Sequence, residues 1–195
     1  MNIKNICVYC GSSPGLNPAY ARAAKILGKT LAERDIGLVY GGAAVGIMGV
    51  VADAALANGG KAIGVIPKAL AVKEVAHEGL SELHVVESMH ERKAMMAELS
   101  DGFIALPGGW GTLEEIFEIL TWAQLGFHRK PCGLLNVEGY YDDMISFLEN
   151  AFAQQFVKDL YRPILLTAHE PAKILDQFAV YKAPEVRKWM GESEL

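Results

Sequence analysis

The stretch 107–115, PGGWGTLEE, carries residue types that together could bind and act on an anionic ligand. Its glycines let a ligand approach the backbone closely, and Thr112 stands where the next helix is predicted to begin. The free N–H groups at the start of a helix and the positive end of its dipole favour anions. We therefore expect Gly111 and Thr112 to donate hydrogen bonds to a phosphate.

The same residues allow a simpler interpretation. Thr112 and Glu115 have the spacing of a capping box, in which the threonine caps the helix and the glutamate reaches back to the backbone. A capping box does not account for the glycines in front of it. We favour a phosphate site in which Thr112 serves both purposes.

A second group of charged residues lies at 89–93, MHERK, at the start of another predicted helix. Ser88 and Glu91 form a possible capping box, and Arg92 falls in line with an apolar stripe. An arginine at the edge of such a stripe can simply extend to water. The helix dipole disfavours a cation near this end, however, and a bound anion would offset that penalty. We therefore favour a functional role for Arg92.

The elements that must position these residues follow a repeating pattern of short apolar runs and longer helical segments. The apolar runs are nearly continuous, which is typical of strands covered on both faces. The pattern predicts one α/β domain over 1–195, a doubly wound and mostly parallel sheet with helices on both faces. The region 68–83 is expected to be irregular and the polar tail after residue 184 loosely held. Strands are predicted at 6–9, 37–40, 62–66, 102–106 and 132–135, with shorter ones at 84–86 and 164–166, and helices at about 18–34, 46–58, 89–99, 112–125, 140–155 and 171–178.

Three of these strands end in loops of small residues. In an open parallel sheet, ligands bind beyond the carboxyl ends of the strands, so the three loops are expected to meet at one site. The chain lacks the G-x-x-x-x-G-K-[ST] sequence of a P-loop and the glycine pattern and acidic residue of a dinucleotide-binding fold. The small residues are Gly11, Ser12 and Ser13 in the first loop, Gly41, Gly42, Gly46 and Gly49 in the second, and Gly108, Gly109 and Gly111 in the third.

The composition limits the classes of protein to consider. The chain has 195 residues, a formal net charge of −5 and three cysteines. A negative net charge argues against a broad surface for nucleic acid. No segment fits a signal peptide or a membrane span, and the odd number of cysteines is typical of a reducing compartment. We expect a cytoplasmic protein with neither a nucleic-acid nor a membrane partner.

The cysteines and histidines do not indicate a redox or metal site. Cys7 and Cys10 are three residues apart on a predicted strand, so their thiols should point to opposite faces. The five histidines lack the spacing of metal ligands. We predict core cysteines and no metal.

Taken with these motifs, the sequence resembles the LOG ("Lonely Guy") family of cytokinin riboside 5′-monophosphate phosphoribohydrolases, often labelled lysine decarboxylase-like. The resemblance covers almost the whole chain, and the pairing of Arg-Lys with P-G-G-x-G-T-x-x-E is its most specific part. Trp110 departs from the tyrosine usual in plant members. The matching segments are Cys10-Gly-Ser-Ser, Tyr40-Gly-Gly, Gly46-Ile-Met-Gly, 89–93, 107–115, 120–126 and 133–141.

The resemblance implies a Rossmann-like homodimer that needs no cofactor and releases a free adenine-type base and ribose 5-phosphate from a nucleoside 5′-monophosphate. Arg92 and Glu115 match the catalytic pair of the family. A carboxylate beside the anomeric carbon would stabilise the sugar cation or orient water. The residues expected to contact substrate or phosphate are Gly11, Ser12, Gly41, Gly42, Glu74, Met89, Lys93, Gly108, Gly109, Trp110, Gly111, Thr112 and Thr121.

Two other functions fit parts of the sequence. A non-catalytic carrier of a nucleotide or of molybdenum cofactor would use the glycine loops, with Glu115 only capping a helix. Amino-acid decarboxylation would need a lysine that forms a Schiff base with pyridoxal phosphate, and no lysine stands in such a setting. The sequence leaves open whether AMP or an isopentenylated AMP is the substrate, and whether Glu115 is a base, a nucleophile or an electrostatic stabiliser.

Overall fold

A computed structural model describes residues 3–71 and 76–185. Its strands are β1 (Asn5–Tyr9), β2 (Gly37–Tyr40), β3 (Ala62–Pro67), β4 (Glu82–Val86), β5 (Gly102–Ala105), β6 (Cys132–Leu135) and β7 (Leu165–Ala168). The helices are α1 (Pro18–Glu33), α2 (Gly46–Ala57), α3 (Lys68–Ala71), α4 (Met89–Glu98), α5 (Trp110–Leu125), α6 (Asp142–Ala153) and α7 (Pro171–Ala179), with 3-10 turns at Val137–Gly139 and Asp159–Ile164. These seven strands form one sheet in the order β4-β3-β2-β1-β5-β6-β7, and every neighbouring pair is parallel.

The helices cover both faces of the sheet. Buried residues of α1, α2 and α7 pack on one face, and those of α4 and α5 pack on the other. The α/β fold with helices on both faces is therefore confirmed, and the sheet is entirely parallel within the described strands. A sheet covered in this way needs apolar residues on both sides of each strand, which explains the nearly continuous apolar runs.

The alternation along β1 separates the two cores. Ile6 and Val8 face the core of α1 and α2, while Cys7 and Tyr9 face the core of α4 and α5. Cys10, just beyond the strand, lies in the first core, and both thiols are free and buried. The prediction that these cysteines point to opposite faces is confirmed.

Several predicted boundaries were wrong. The region expected to be irregular contains α3 and the first two residues of β4, helix α6 begins at Asp142 rather than near 140, and α5 begins two residues before Thr112. Glu74 and the tail from residue 186 lie outside the described residues. None of the described helices has the length and apolar character needed to cross a membrane.

The strand order opens a crevice between β1 and β5. The chain leaves β1 towards β2 on one side and β5 towards β6 on the other, so the two following loops diverge. Gly11 N donates to Pro107 O (3.2 Å), which joins these loops at their base. The loop after β2 closes a third side, because Ile47 N donates to Gly11 O (3.0 Å) and Gly46, at φ 58°, packs on the backbone of Ser12.

Candidate active site

An open cavity of about 230 Å³ occupies this crevice. It brings together nine residues that the sequence analysis singled out, from four separate segments of the chain. The protein contributes both cationic and anionic groups to one wall, Arg92 from α4 and Glu115 from α5. The lining residues are Val8, Tyr9, Cys10, Gly11, Ser12, Gly41, Met48, Arg92, Met96, Gly109, Trp110, Gly111, Thr112 and Glu115.

Helix α5 starts at the cavity without a side-chain cap. Its N-cap is Gly109, so the expected capping box of Thr112 and Glu115 is wrong. The reason is that the backbone turns helical at Trp110, which places Thr112 inside the first turn, 3% exposed. The first intrahelical bond runs from Leu113 N to Gly109 O (3.1 Å), so the preceding N–H groups have no partner in the helix.

The start of α5 differs from those of α1 and α4, which the sequence caps. Asn17 accepts a hydrogen bond from Ala19 N (2.9 Å), and Ser88 accepts one from Glu91 N (3.1 Å). The Glu91 carboxylate accepts from Glu87 N (2.8 Å), one residue earlier than in a capping box. An uncapped helix end that faces a cavity is suited to bind an anion.

The glycines at this helix start are not required by the packing of the protein. A Cβ atom added at Gly109 or Gly111 would meet no atom within 4 Å, and neither residue has a positive φ. Gly108 is different, since an added Cβ would lie 2.1 Å from Thr112 Oγ1. Gly109 and Gly111 thus leave room on the side from which a ligand would approach.

Arg92 is held in the wall of the cavity rather than extended to water. Its side chain is 10% exposed, and its Nε donates to Val65 O (3.1 Å). The guanidinium lies directly on Gly41, where an added Cβ would be 2.1 Å from Nη2. Nη1 makes a 3.8 Å contact with the sulfur of Met89, while Nη2 donates to no residue that the structure describes. The arginine therefore keeps unused donors at the cavity.

Glu115 lies one turn into α5 and is 9% exposed. Its Oε1 is 3.9 Å from Arg92 Nη1, too far for a hydrogen bond. Burial raises the pKa of Glu115 from 4.5 to about 7, although the charge of Arg92 acts to lower the pKa. The site thus holds a desolvated carboxylate beside an uncapped helix end and a partly unsatisfied guanidinium.

Comparison with known proteins assigns this arrangement to a family. A family model described as "Possible lysine decarboxylase" matches residues 48–178. The cytokinin riboside 5′-monophosphate phosphoribohydrolase LOG7 of Arabidopsis thaliana is 49% identical over 92% of this chain and 82% of its own length. The cytokinin riboside 5′-monophosphate phosphoribohydrolase LOG of Oryza sativa subsp. japonica is 53% identical over 85% of this chain and 68% of its own length. The chain belongs to the LOG family.

Solved structures extend the likeness to more distant proteins. The molybdenum cofactor binding protein of Rippkaea orientalis has a TM-score of 0.68 at 23% identity, over 92% of this chain and 97% of that one. The molybdenum cofactor carrier protein of Chlamydomonas reinhardtii has a TM-score of 0.67 at 20% identity, over 91% of this chain and 99% of that one. At these identities the likeness concerns the fold alone, which this chain shares with the two molybdenum cofactor proteins.

Lys93 follows the catalytic arginine expected for a LOG protein, yet it does not face the cavity. Its Nζ lies 2.5 Å from Glu114 Oε1 and 2.9 Å from Glu118 Oε1. Burial acts to lower the pKa of Lys93, but the hydrogen bonds to these two carboxylates outweigh it and raise the pKa. Within this chain, Lys93 joins α4 to α5.

Four other residues expected to contact ligand in a LOG protein also lie outside the cavity lining. Gly42, at φ 78°, turns against β3, and Met89 is half-exposed beside Arg92. Gly108 packs under Thr112, and the exposed Thr121 donates its hydroxyl to Phe117 O (2.8 Å) on the outer side of α5.

The cavity also contains residues that the sequence analysis did not select. Tyr9, the last residue of β1, is buried and lines the cavity together with Met48 and Met96. The position of Tyr9 directly before a glycine loop could have indicated it, since ligands bind at strand ends. The two methionines stand on helices with no comparable signal.

Proposed function

We propose that this LOG protein is a phosphoribohydrolase that cleaves the N-glycosidic bond of an adenine-type nucleoside 5′-monophosphate, giving the free base and ribose 5-phosphate. One observation carries the proposal. The buried Glu115 carboxylate, with its pKa near 7, stands one helical turn from the uncapped start of α5 and beside the free donors of Arg92. The cavity thus offers separate places for a phosphate and for a sugar that becomes positively charged.

The start of α5 supplies the phosphate part of the site. The N–H groups of Trp110, Gly111 and Thr112 precede the first intrahelical bond, and the space beside Gly109 and Gly111 is open. A phosphate dianion placed there would satisfy these donors and interact with the helix dipole. Arg92 could donate to a phosphate or ribose oxygen through Nη2.

Glu115 supplies the charge that glycosidic cleavage needs. As the bond from C1′ to the base breaks, its electron pair leaves with the base and positive charge develops on the sugar ring. An ionised Glu115 beside C1′ lowers the energy of that cation, and water then adds at C1′ while one of its protons ends on the released base. A role as stabiliser, as base towards the water or as nucleophile requires the ionised form in each case.

The relatives suggest the class of base. Those named above are cytokinin riboside 5′-monophosphate phosphoribohydrolases, so N6-isopentenyl-AMP and AMP are the substrates to compare. A decarboxylase, as in the description of the family model, is not supported by the site, because no lysine is among the residues found to line the cavity. Water is the only co-reactant in the proposed reaction.

We further propose that the protein is a cytoplasmic homodimer. Large aromatic side chains lie exposed on and near α5 and α6, with Trp110 at 90%, Phe147 at 66% and Phe156 at 86% exposure. Exposed apolar surface of this kind is typical of subunit interfaces. Analytical ultracentrifugation would give the mass of two chains, and a monomer at micromolar concentration would contradict the proposal.

The activity is tested by identifying the products. The protein is incubated with AMP, N6-isopentenyl-AMP or adenosine, and the free base and ribose 5-phosphate are quantified by chromatography. We expect equal amounts of base and ribose 5-phosphate from at least one nucleotide, with adenosine a much poorer substrate. Release of inorganic phosphate in place of base, or tight nucleotide binding without turnover, would contradict the proposal.

A further inference from the structure

Three consecutive carbonyl groups in the loop after β5 each accept a hydrogen bond from another part of the chain. Tyr141 Oη donates to Leu106 O (2.7 Å), Gly11 N donates to Pro107 O (3.2 Å) and Tyr140 Oη donates to Gly108 O (2.6 Å). The loop that leads into the proposed phosphate site is therefore fixed at every peptide up to Gly109.

The two tyrosines are presented by a tightly held turn between β6 and α6. The buried Asn136 accepts a hydrogen bond from Tyr141 N (2.8 Å) and donates to Asp142 Oδ1 (2.7 Å). Glu138 and Gly139 both adopt left-handed conformations, at φ 52° and 71°, which reverse the chain. The turn can hold adjacent hydroxyl groups against the loop because its own backbone is fixed.

The bond from Tyr140 has a direct consequence for the phosphate site. In a trans peptide, the carbonyl of one residue and the N–H of the next point in opposite directions. Tyr140 and Tyr20 line a second cleft, which shares Gly11, Ser12 and Gly109 with the catalytic cavity but includes neither Arg92 nor Glu115. A Gly108 carbonyl held towards Tyr140 therefore turns the N–H of Gly109 away from it, towards the catalytic cavity.

We propose that Tyr140 is a positioning residue for phosphate binding, which acts by orienting the peptide between Gly108 and Gly109. This inference rests on the proposed function. Tyr141 differs, because the peptide that follows Leu106 ends in Pro107 and has no N–H to orient. The buried Tyr141 hydroxyl anchors the root of the loop and supports the fold, whereas Tyr140, 42% exposed, acts on the ligand.

The test removes only the hydroxyl group. Tyr140→Phe is compared with Tyr20→Phe, a matched control whose ring contacts Tyr140 (5.4 Å between centroids) and whose hydroxyl bonds to no residue in the described ranges. For Tyr140→Phe we expect about a tenfold rise in KM for the nucleotide and in the Kd of ribose 5-phosphate measured by calorimetry, as for loss of one well-aligned hydrogen bond. The kcat and Tm should stay near those of the wild type, and Tyr20→Phe should change none of these values.

The outcomes separate this inference from the proposed function. Unchanged KM and Kd in Tyr140→Phe, or a loss of kcat without a change in KM, would overturn the positioning role even if the wild type is active. A wild type that binds ribose 5-phosphate but cleaves no nucleotide would contradict the proposed function, and the Kd comparison would still decide the role of Tyr140. A wild type that does not bind ribose 5-phosphate would overturn the role as well.

Discussion

Two neighbouring cations of α4 contact carboxylates of α5, and the contacts differ in distance and in the exposure of the carboxylates. Arg92 and Glu115 face the cavity, are both about nine-tenths buried and lie 3.9 Å apart. The side chain of Lys93 is as buried as that of Arg92, but it bonds to Glu114 and Glu118 at 2.5 and 2.9 Å, and these carboxylates are 53% and 26% exposed. The inner pair, Arg92 and Glu115, is therefore loose and buried, whereas the outer cluster of Lys93, Glu114 and Glu118 is tight and has partly exposed carboxylates.

The difference indicates that the inner pair and the outer cluster have different functions. A tight cluster leaves little charge available to a ligand, because the ammonium and the carboxylates satisfy one another. A buried pair without a hydrogen bond keeps donors and a carboxylate free, at a cost in stability that bound substrate can offset. The outer cluster therefore holds α4 and α5 together, and the inner pair keeps its charged groups available to a substrate.

The largest expected effect comes from exchanging the adjacent glutamates one at a time. Glu115→Gln removes the charge that stabilises the sugar cation, and we expect kcat to fall by about a thousandfold or more. Glu114→Gln, its matched neighbour, should retain kcat within about threefold, because a partly exposed carboxylate contributes little. Steady-state release of free base measures kcat of both variants. Equal losses of kcat in the two variants would contradict the different roles assigned to Glu114 and Glu115.

The next effect concerns the two cations. Arg92→Ala should lower kcat/KM by about a hundredfold, since it removes the donors at the cavity and leaves Glu115 buried without a countercharge. Lys93→Ala should lower it by no more than about threefold if Lys93 only joins the helices. A loss in Lys93→Ala as large as that in Arg92→Ala would show that the lysine reaches the ligand after all.

The inner pair should also reduce the stability of the folded protein in a pH-dependent way. The pKa of Glu115 is raised from 4.5 in the unfolded chain to about 7, so the destabilisation is absent below pH 4.5, grows between pH 4.5 and about 7, and is constant at higher pH. Glu115→Gln should then be more stable than the wild type by on the order of 3 kcal/mol at pH 8 and nearly equal to it at pH 4.5. Urea unfolding at the two pH values measures this, and a constant difference would contradict the raised pKa.

The smallest effect is expected from the outer cluster. Lys93→Met keeps the buried part of the side chain but loses both ion pairs, so the free energy of unfolding should fall by about 1 kcal/mol. The same variant in 1 M salt should lose less, because screening already weakens the wild-type contacts. Thermal unfolding at low and high salt would check this, and a salt-independent loss would mean that packing rather than charge is responsible.

The sequence was sufficient for the fold and for the inner pair. Continuous apolar runs predicted a buried parallel sheet, and glycine loops at strand ends predicted the position of the site. The resemblance to the LOG family predicted that Arg92 and Glu115 form a pair there. Lys93 could not be placed, because its direction depends on how α4 packs against α5. The predicted capping role of Thr112 was wrong because α5 begins earlier than its sequence pattern indicates. Tyr140 escaped notice because its partner is 32 residues away in the chain.

The central claim is that the reacting carboxylate is the one whose pKa burial raises. The most direct test is the pH dependence of kcat/KM, which reports the groups of the free enzyme. We predict that kcat/KM of the wild type falls as the pH drops through about 7, and that Glu114→Gln shifts this midpoint slightly downward, because the charge of Glu114 adds to the effect of burial on the pKa of Glu115. A kcat/KM that stays constant down to the ordinary glutamate pKa of 4.5 would contradict the account.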